Sequence, residues 1–175
     1  SNASARAASA LGGYSEASAE RATAVGAASK ASGAASFAAG TGANASGKNA
    51  VAIGGSMDAA ETAKAQGESA IAIGTNSTAA AAHSTSIGTA SKASATQSIA
   101  LGSVAKAEKD GAFAGGYNST AAGKISVSLG FNAQANNEND VALGIEDIDT
   151  SDAANIFTIK TRDGSVFEIE TRKIE

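Results

Sequence analysis

The side chains able to do chemistry are few and poorly grouped. His83 is the single histidine and cysteine is absent. A disulfide framework and a Cys-based metal site are therefore excluded, and a His-dependent hydrolase lacks its companions. His83 has no carboxylate cluster beside it and reads as a solvated corner residue. Gly42-Ala43-Asn44-Ala45-Ser46-Gly47-Lys48-Asn49 approaches a phosphate-binding loop, but Asn49 stands where Ser or Thr should hold magnesium, and no strand and helix flank it. Glu146, Asp147, Asp149 and Asp152 are spaced loosely like a calcium loop, yet Ile148 and a missing glycine leave a solvated acidic linker as the reading. Asn76-Ser77-Thr78 and Asn118-Ser119-Thr120 fit the glycosylation acceptor pattern without further context. No catalytic residue, cofactor or metal site is expected.

The rest of the chain explains why. Alanine makes up about a quarter of the 175 residues, glycine supplies 20, and proline and tryptophan are absent. No run of about 18 apolar residues offers a membrane-crossing helix. Up to Gly144 the nine acids balance nine bases; residues 145–175 hold eight acids and four bases and so carry the net charge of −4. A neutral body with an acidic tail, and no basic patch interleaved with aromatics, argues against nucleic acid. A chain this poor in large apolar residues gains its order by repetition or from partners.

Repetition is present. A tetrapeptide of variable, small and aliphatic residues closed by glycine runs from Ser9-Ala10-Leu11-Gly12 to Val141-Ala142-Leu143-Gly144. Its glycines fall at 12, 26, 40, 54, 74, 88, 102, 116, 130 and 144, so eight gaps are 14 residues and one is 20. Three and five residues after eight of the ten glycines lie small residues in phase, such as Ser29/Ala31 and Ser91/Ala93. Each unit thus holds two short stretches of period two, which predicts two strands and two turns per coil, stacked into parallel sheets. Glycine at the corners suits a backbone needing positive φ. Ten coils at roughly 4.8 Å per step make a rod of roughly 48 Å. Counting back from Gly74 places the six extra residues within Gly55–Thr62, an exposed corner loop whose Met57, Asp58 and Glu61 are candidate ligand contacts.

A 14-residue coil has room inside for Ala and Ser. Val25, Val51, Ile53, Ile71, Ile73, Ile87, Ile99, Leu101, Val127, Leu129, Val141 and Leu143 then form an outward stripe. So large an apolar stripe calls for association around an axis, and these residues are the candidate interface. Periodicity alone does not choose between two and three chains, and a variant with the aliphatics inside each coil stays open.

The units Asn49-Ala50-Val51-Ala52-Ile53-Gly54, Ser69-Ala70-Ile71-Ala72-Ile73-Gly74-Thr75-Asn76-Ser77 and Ser98-Ile99-Ala100-Leu101-Gly102 closely resemble the head repeats of YadA-like trimeric autotransporter adhesins, over roughly residues 7–145. The resemblance implies an all-β fold, a left-handed parallel β-roll of about ten 14-residue coils assembled as a homotrimer. It also implies a non-catalytic head on the outer surface of a Gram-negative bacterium. There it would bind a host matrix or cell-surface protein such as collagen, or promote cell–cell aggregation. No nucleic-acid partner and no membrane contact by this part are implied. The neck sequence that follows such heads is not recognisable after Gly144, and the stalk and membrane anchor are expected in a longer chain. In some heads the repeated small-Val-Ala-Ile-Gly surface is tied to matrix binding; here Val51, Ala52, Ile53, Ile71, Ala72 and Ile73 match it best and serve equally as structure.

Four segments are expected: a tag remnant at 1–3, β-roll repeats at 4–145, an acidic linker at 146–155, and a C-terminal β-hairpin at 156–175 that caps the roll or opens a connector domain. Gly164 in a three-residue loop sets Ile159 opposite Phe167 and Phe157 opposite Ile169. Other functions fit less well. A phage tail-fibre segment is the alternative. A hexapeptide-repeat acyltransferase needs period six and a catalytic histidine. An ice-binding solenoid needs a Thr ladder, but the residues after the motif glycines include Gly13, Ala27, Ser103, Tyr117 and Phe131.

Overall fold

The computed structural model describes residues 1–144, 156–160 and 166–170. Its coils stack into two parallel sheets that share one interior. One sheet has ten strands, from Asn2–Ala3 to Gln134–Ala135; the other has twelve, running from Ser9–Leu11 through Val141–Gly144 to Ile156–Lys160 and Val166–Glu170. Neighbouring coils pair in register across both sheets, as in Ile71↔Thr85 and Ile73↔Ile87, or Thr78↔Lys92 and Ala79↔Ala93. The 14-residue count therefore appears directly as ladder register. The segment Asn2–Ala3, set aside as a tag remnant, pairs with Glu16–Ala17 and extends the ten-stranded sheet.

Four side chains per coil point inward, and nearly all are small; Asp140 in the last coil is a larger exception. In one coil these are Ala24, Ser29, Ala31 and Ser36, each essentially inaccessible to solvent. The aliphatic residues of the motif alternate with these and point outward, which removes the variant that packed them inside each coil. The buried hydroxyls close onto the corners: Ser29 Oγ donates to the Gly26 carbonyl at 2.8 Å, Ser91 Oγ to Gly88 at 2.8 Å, and Ser126 Oγ to Gly123 at 2.7 Å. Serine thus fills the narrow interior and mostly satisfies its own polar atom, Ser36 Oγ being left without a partner.

The ladder continues round the corners. The Gly40 amide donates to the Val25 carbonyl at 2.8 Å, and the His83 amide to Glu68 at 2.8 Å. A Cβ on Gly26 would lie 2.8 Å from the Gly40 carbonyl, and its φ is 119°, so the motif glycine is required twice over. The other corners differ from expectation. The tight left-handed positions, two and nine residues after the motif glycine, are mostly not glycine: Tyr14, Arg21, His83, Val104 and Ile125 all have φ between 58° and 62°. Coil-to-coil hydrogen bonding holds these residues in a conformation that costs them about 1 kcal/mol or more. Glycines seven residues after the motif, such as Gly33, do not have positive φ; an added Cβ there would meet the carbonyl of Gly47 in the next coil.

The C-terminal strands lie on the last coil. Ile156–Lys160 pairs in parallel with Val141–Gly144, with Val141 opposite Phe157. Val166–Glu170 then pairs antiparallel, Phe157↔Ile169 and Ile159↔Phe167, the register expected from the sequence. The turn expected around Gly164 and the acidic linker lie outside the described residues.

Adjacent residues of one strand provide a test of the interior. Ala79→Leu forces a large side chain into a space filled by alanine and should lower stability by about 3 kcal/mol, whereas Thr78→Leu, facing outward, should change it by less than about 0.5 kcal/mol. Urea unfolding followed by circular dichroism measures both; equal effects would contradict the alanine interior.

Candidate functional site

Two features set this rod apart from an inert stack: an apolar face and a loop. The face is the outer surface of the twelve-stranded sheet. Val25, Ile53, Ile87, Ile99 and Leu101 are exposed there, while Val51, Ile71, Ile73, Val127, Leu129, Val141 and Leu143 are half-buried. In-register pairing puts these twelve on one surface: Ile73 stands between Ile53 and Ile87, and Ile87 beside Leu101. Leu11, Phe37 and Phe113 occupy the same phase and belong to the face, although the candidate interface omitted them. Each phenylalanine is followed two residues later by a small residue, Ala39 or Gly115. A Cβ on Gly115 would lie 2.6 Å from Leu129 Cδ2 and 3.5 Å from the Phe113 ring, so large and small positions compensate across the surface. That volume pairing was readable in the sequence.

About a third of each exposed aliphatic side chain meets solvent, for example 37% of Val25 and Ile53 and 38% of Ile87 and Ile99. Ladder pairing joins these exposures into one face along the rod, the kind of extended apolar patch that marks an interaction surface. The face offers shape and apolar area but no reacting group. Among the described residues, no three His, Cys, Asp or Glu side chains gather to hold a metal ion, and no helix is long and apolar enough to cross a membrane. His83 is exposed at its corner, and Lys48 of the phosphate-loop look-alike lies 3.3 Å from Glu68 instead.

The loop occupies the stretch the period assigns to it. Asn44 pairs with Lys64 and Val51 with Ile71, so the ladder is in register on both sides of the six extra residues. Inside the loop Ala59–Glu61 forms a short 3-10 turn. Asp58 Oδ1 accepts from the Ala60 amide at 2.8 Å, which makes its carboxylate the cap of that turn. Met57 is fully exposed at 100%, and Glu61 is exposed while its carbonyl accepts from the Asn76 amide at 2.7 Å. Of the three candidate contacts, then, Met57 and Glu61 offer uncommitted side chains and Asp58 is partly used to shape the loop.

Because both flanks are already in register, the loop should be dispensable for folding. Deleting Ser56–Glu61 and replacing Thr62 by Asn, the residue type found at the matching corners Asn76, Asn118 and Asn132, should leave the thermal midpoint within a few degrees of the parent. Loss of the strand spectrum in circular dichroism would show instead that the loop holds the coils together.

The family model for the YadA head domain repeat matches residues 3–29, 31–56, 65–91, 82–105, 93–119 and 121–146. Among solved structures, the collagen-binding domain of the Yersinia adhesin YadA is similar at 24% identity, over 93% of this chain and 79% of that one, with a TM-score of 0.39. No curated protein matches the chain. With its glycine-closed coils and outward aliphatic ladder, matched over most of its length, the chain belongs to the YadA head-domain repeat family.

Proposed function

We propose that this chain is a non-catalytic adhesive head that works as a homotrimer. Three aliphatic faces meet around a common axis, and the trimer attaches the cell that displays it to extracellular matrix or to sister cells. The observation that carries the assembly is the continuous ladder through Ile53, Ile73, Ile87 and Leu101, apolar, in register and uncovered on a single chain. Closed rotational symmetry removes all copies of such a stripe from water at once. The adhesive role rests on membership of the YadA head repeats. Collagen is the first ligand to try, because the resemblance of the repeats to YadA-like heads implies a matrix protein of that kind. Display on the outer cell surface follows from the same role.

Repetition suits adhesion. A rod that offers similar units every coil, in three copies, gains avidity from many weak contacts. The side chains of Met57, Asp58 and Glu61 add one non-repeating protrusion per chain, a second place where a ligand would be distinguished.

Absolute mass by light scattering, with Ile73→Asp beside the parent, tests the assembly. The introduced carboxylate remains solvated on a free chain but would be buried at the apolar centre of a trimer. The parent should have the mass of three chains and the variant that of one, with an unchanged strand spectrum. On immobilised collagen the variant should bind at least about a hundredfold more weakly through lost avidity. A parent with the mass of one chain would overturn the trimer, and equal collagen binding by both proteins would overturn multivalent attachment.

A further inference from the structure

The opposite face of the roll carries a different chemistry. In the ten-stranded sheet, the residue preceding each buried alanine points outward, and the parallel ladder lines these residues into one row: Glu16, Lys30, Asn44, Lys64, Thr78, Lys92, Lys106, Thr120 and Gln134. Four of them are lysines. Lys30, Lys92 and Lys106 are exposed and Lys64 is half-buried. Five ladder steps separate Lys30 from Lys106, roughly 24 Å at 4.8 Å per step.

Three observations show that this row carries an excess of positive charge, although Glu16 stands directly beside Lys30 at one end. First, Lys92 and Lys106 are directly paired neighbours, a like-charge contact that is unfavourable on a sheet. Second, among the described residues the ion pairs are Arg6–Glu20, Arg21–Glu20 and Lys48–Glu68, all involving corner residues; none uses a lysine of the row. Third, between the lysines stand Asn44 and Thr78, uncharged hydrogen-bonding side chains that add no competing acid. Glu16 borders the lysines at one end. Glu108, two residues beyond Lys106, is the acid on the neighbouring outward row, so positive charge dominates between them.

The row is also concave beside the insertion. Where the insertion displaces the corner, a cleft of about 240 Å³ is lined by Ala28, Lys30, Gly42, Asn44, Thr62 and Lys64. Lys64 Nζ donates to the Ala60 carbonyl at 2.8 Å, which ties one ammonium group to the loop.

We infer that the lysine row is a docking track for a linear sulfated polysaccharide. Charge complementarity selects a polyanion, because ammonium groups one or two ladder steps apart along one row match anionic groups spaced along an extended chain. The track carries no aromatic side chain, so single-stranded nucleic acid would find no stacking platform. It runs across a sheet whose strands are already paired, so an acidic peptide has no free strand edge to join along it. A sulfated sugar chain needs neither; its sulfates take the ammonium groups and its hydroxyls the Asn and Thr side chains. The cleft between Lys30 and Lys64 receives one sulfate at the insertion. This track lies on the other sheet from the aliphatic ladder, and the inference does not depend on the adhesin reading.

The test uses a fluorescent heparin oligosaccharide titrated onto the whole chain at low and at physiological salt. Lys92→Gln with Lys106→Gln should weaken binding about tenfold and flatten its salt dependence. Lys109→Gln with Lys124→Gln removes the same charge away from the row and should leave binding within about twofold. Because the first pair relieves a like-charge contact, its thermal midpoint should not fall, which separates lost binding from lost folding. Equal weakening by the two pairs would overturn the track in favour of net charge alone. So would absence of heparin binding, or equal binding of polyglutamate or single-stranded DNA.

Discussion

Every coil must approach the next closely enough to hydrogen-bond around its whole circumference, corners included. That single constraint determines most of the composition. At the motif corner the approach leaves no room for a Cβ, so glycine recurs where Gly26 meets the carbonyl of Gly40. Two sheets joined by such tight corners enclose an interior one small side chain wide, so Ala and Ser fill it. Proline would remove a ladder donor, and its absence from the chain follows from the same requirement. The low content of large apolar residues reflects where the fold has room for them, which is outside.

Placing the aliphatics outside reverses the usual division of labour. Backbone hydrogen bonds and alanine contacts hold the coil, while Val, Ile and Leu are left available for association. The two sheets then diverge. One presents a ladder of aliphatic residues, compensated in volume at Phe37/Ala39 and Phe113/Gly115; the other presents lysines interspersed with Asn and Thr, with Lys92 and Lys106 side by side. In-register stacking amplifies both, since a residue type favoured at one phase becomes a continuous stripe. An outward position is therefore selected as a line and not as a point.

Much of this was readable beforehand because it reduces to counting. The 14-residue gaps set the register, the 20-residue gap located the loop between Gly54 and Ala63, and alternation around Gly164 was enough to pair Phe157 with Ile169 and Ile159 with Phe167. The left-handed corners were readable only where Asn or Gly stands, as at Gly42, Asn49, Asn76 and Gly111. Tyr14, Arg21, His83 and Ile125 share no chemical property that marks positive φ, because stacking imposes the conformation from outside the residue. Asp58 was singled out as a ligand contact on charge alone, and its role as a cap depends on a turn that the loop sequence did not announce. The lysine row escaped notice for another reason: its members are 14 or more residues apart, and a linear scan for basic patches finds none.

Solenoid surfaces differ in this respect from those of ordinary domains. There, a patch of like charge is assembled by folding distant segments together, with few rules linking sequence to neighbourhood. Here the rule is strict, because residues one coil apart in sequence are adjacent in space. Lys92 and Lys106 are therefore as surely neighbours as residues i and i+4 on a helix. A like-charge contact of that kind lowers stability, and substitution of either lysine would relieve it. The interior admits mainly Ala and Ser, whereas an outward position has room for any side chain. A repulsive pair on that outward surface is the part of this rod that folding does not explain.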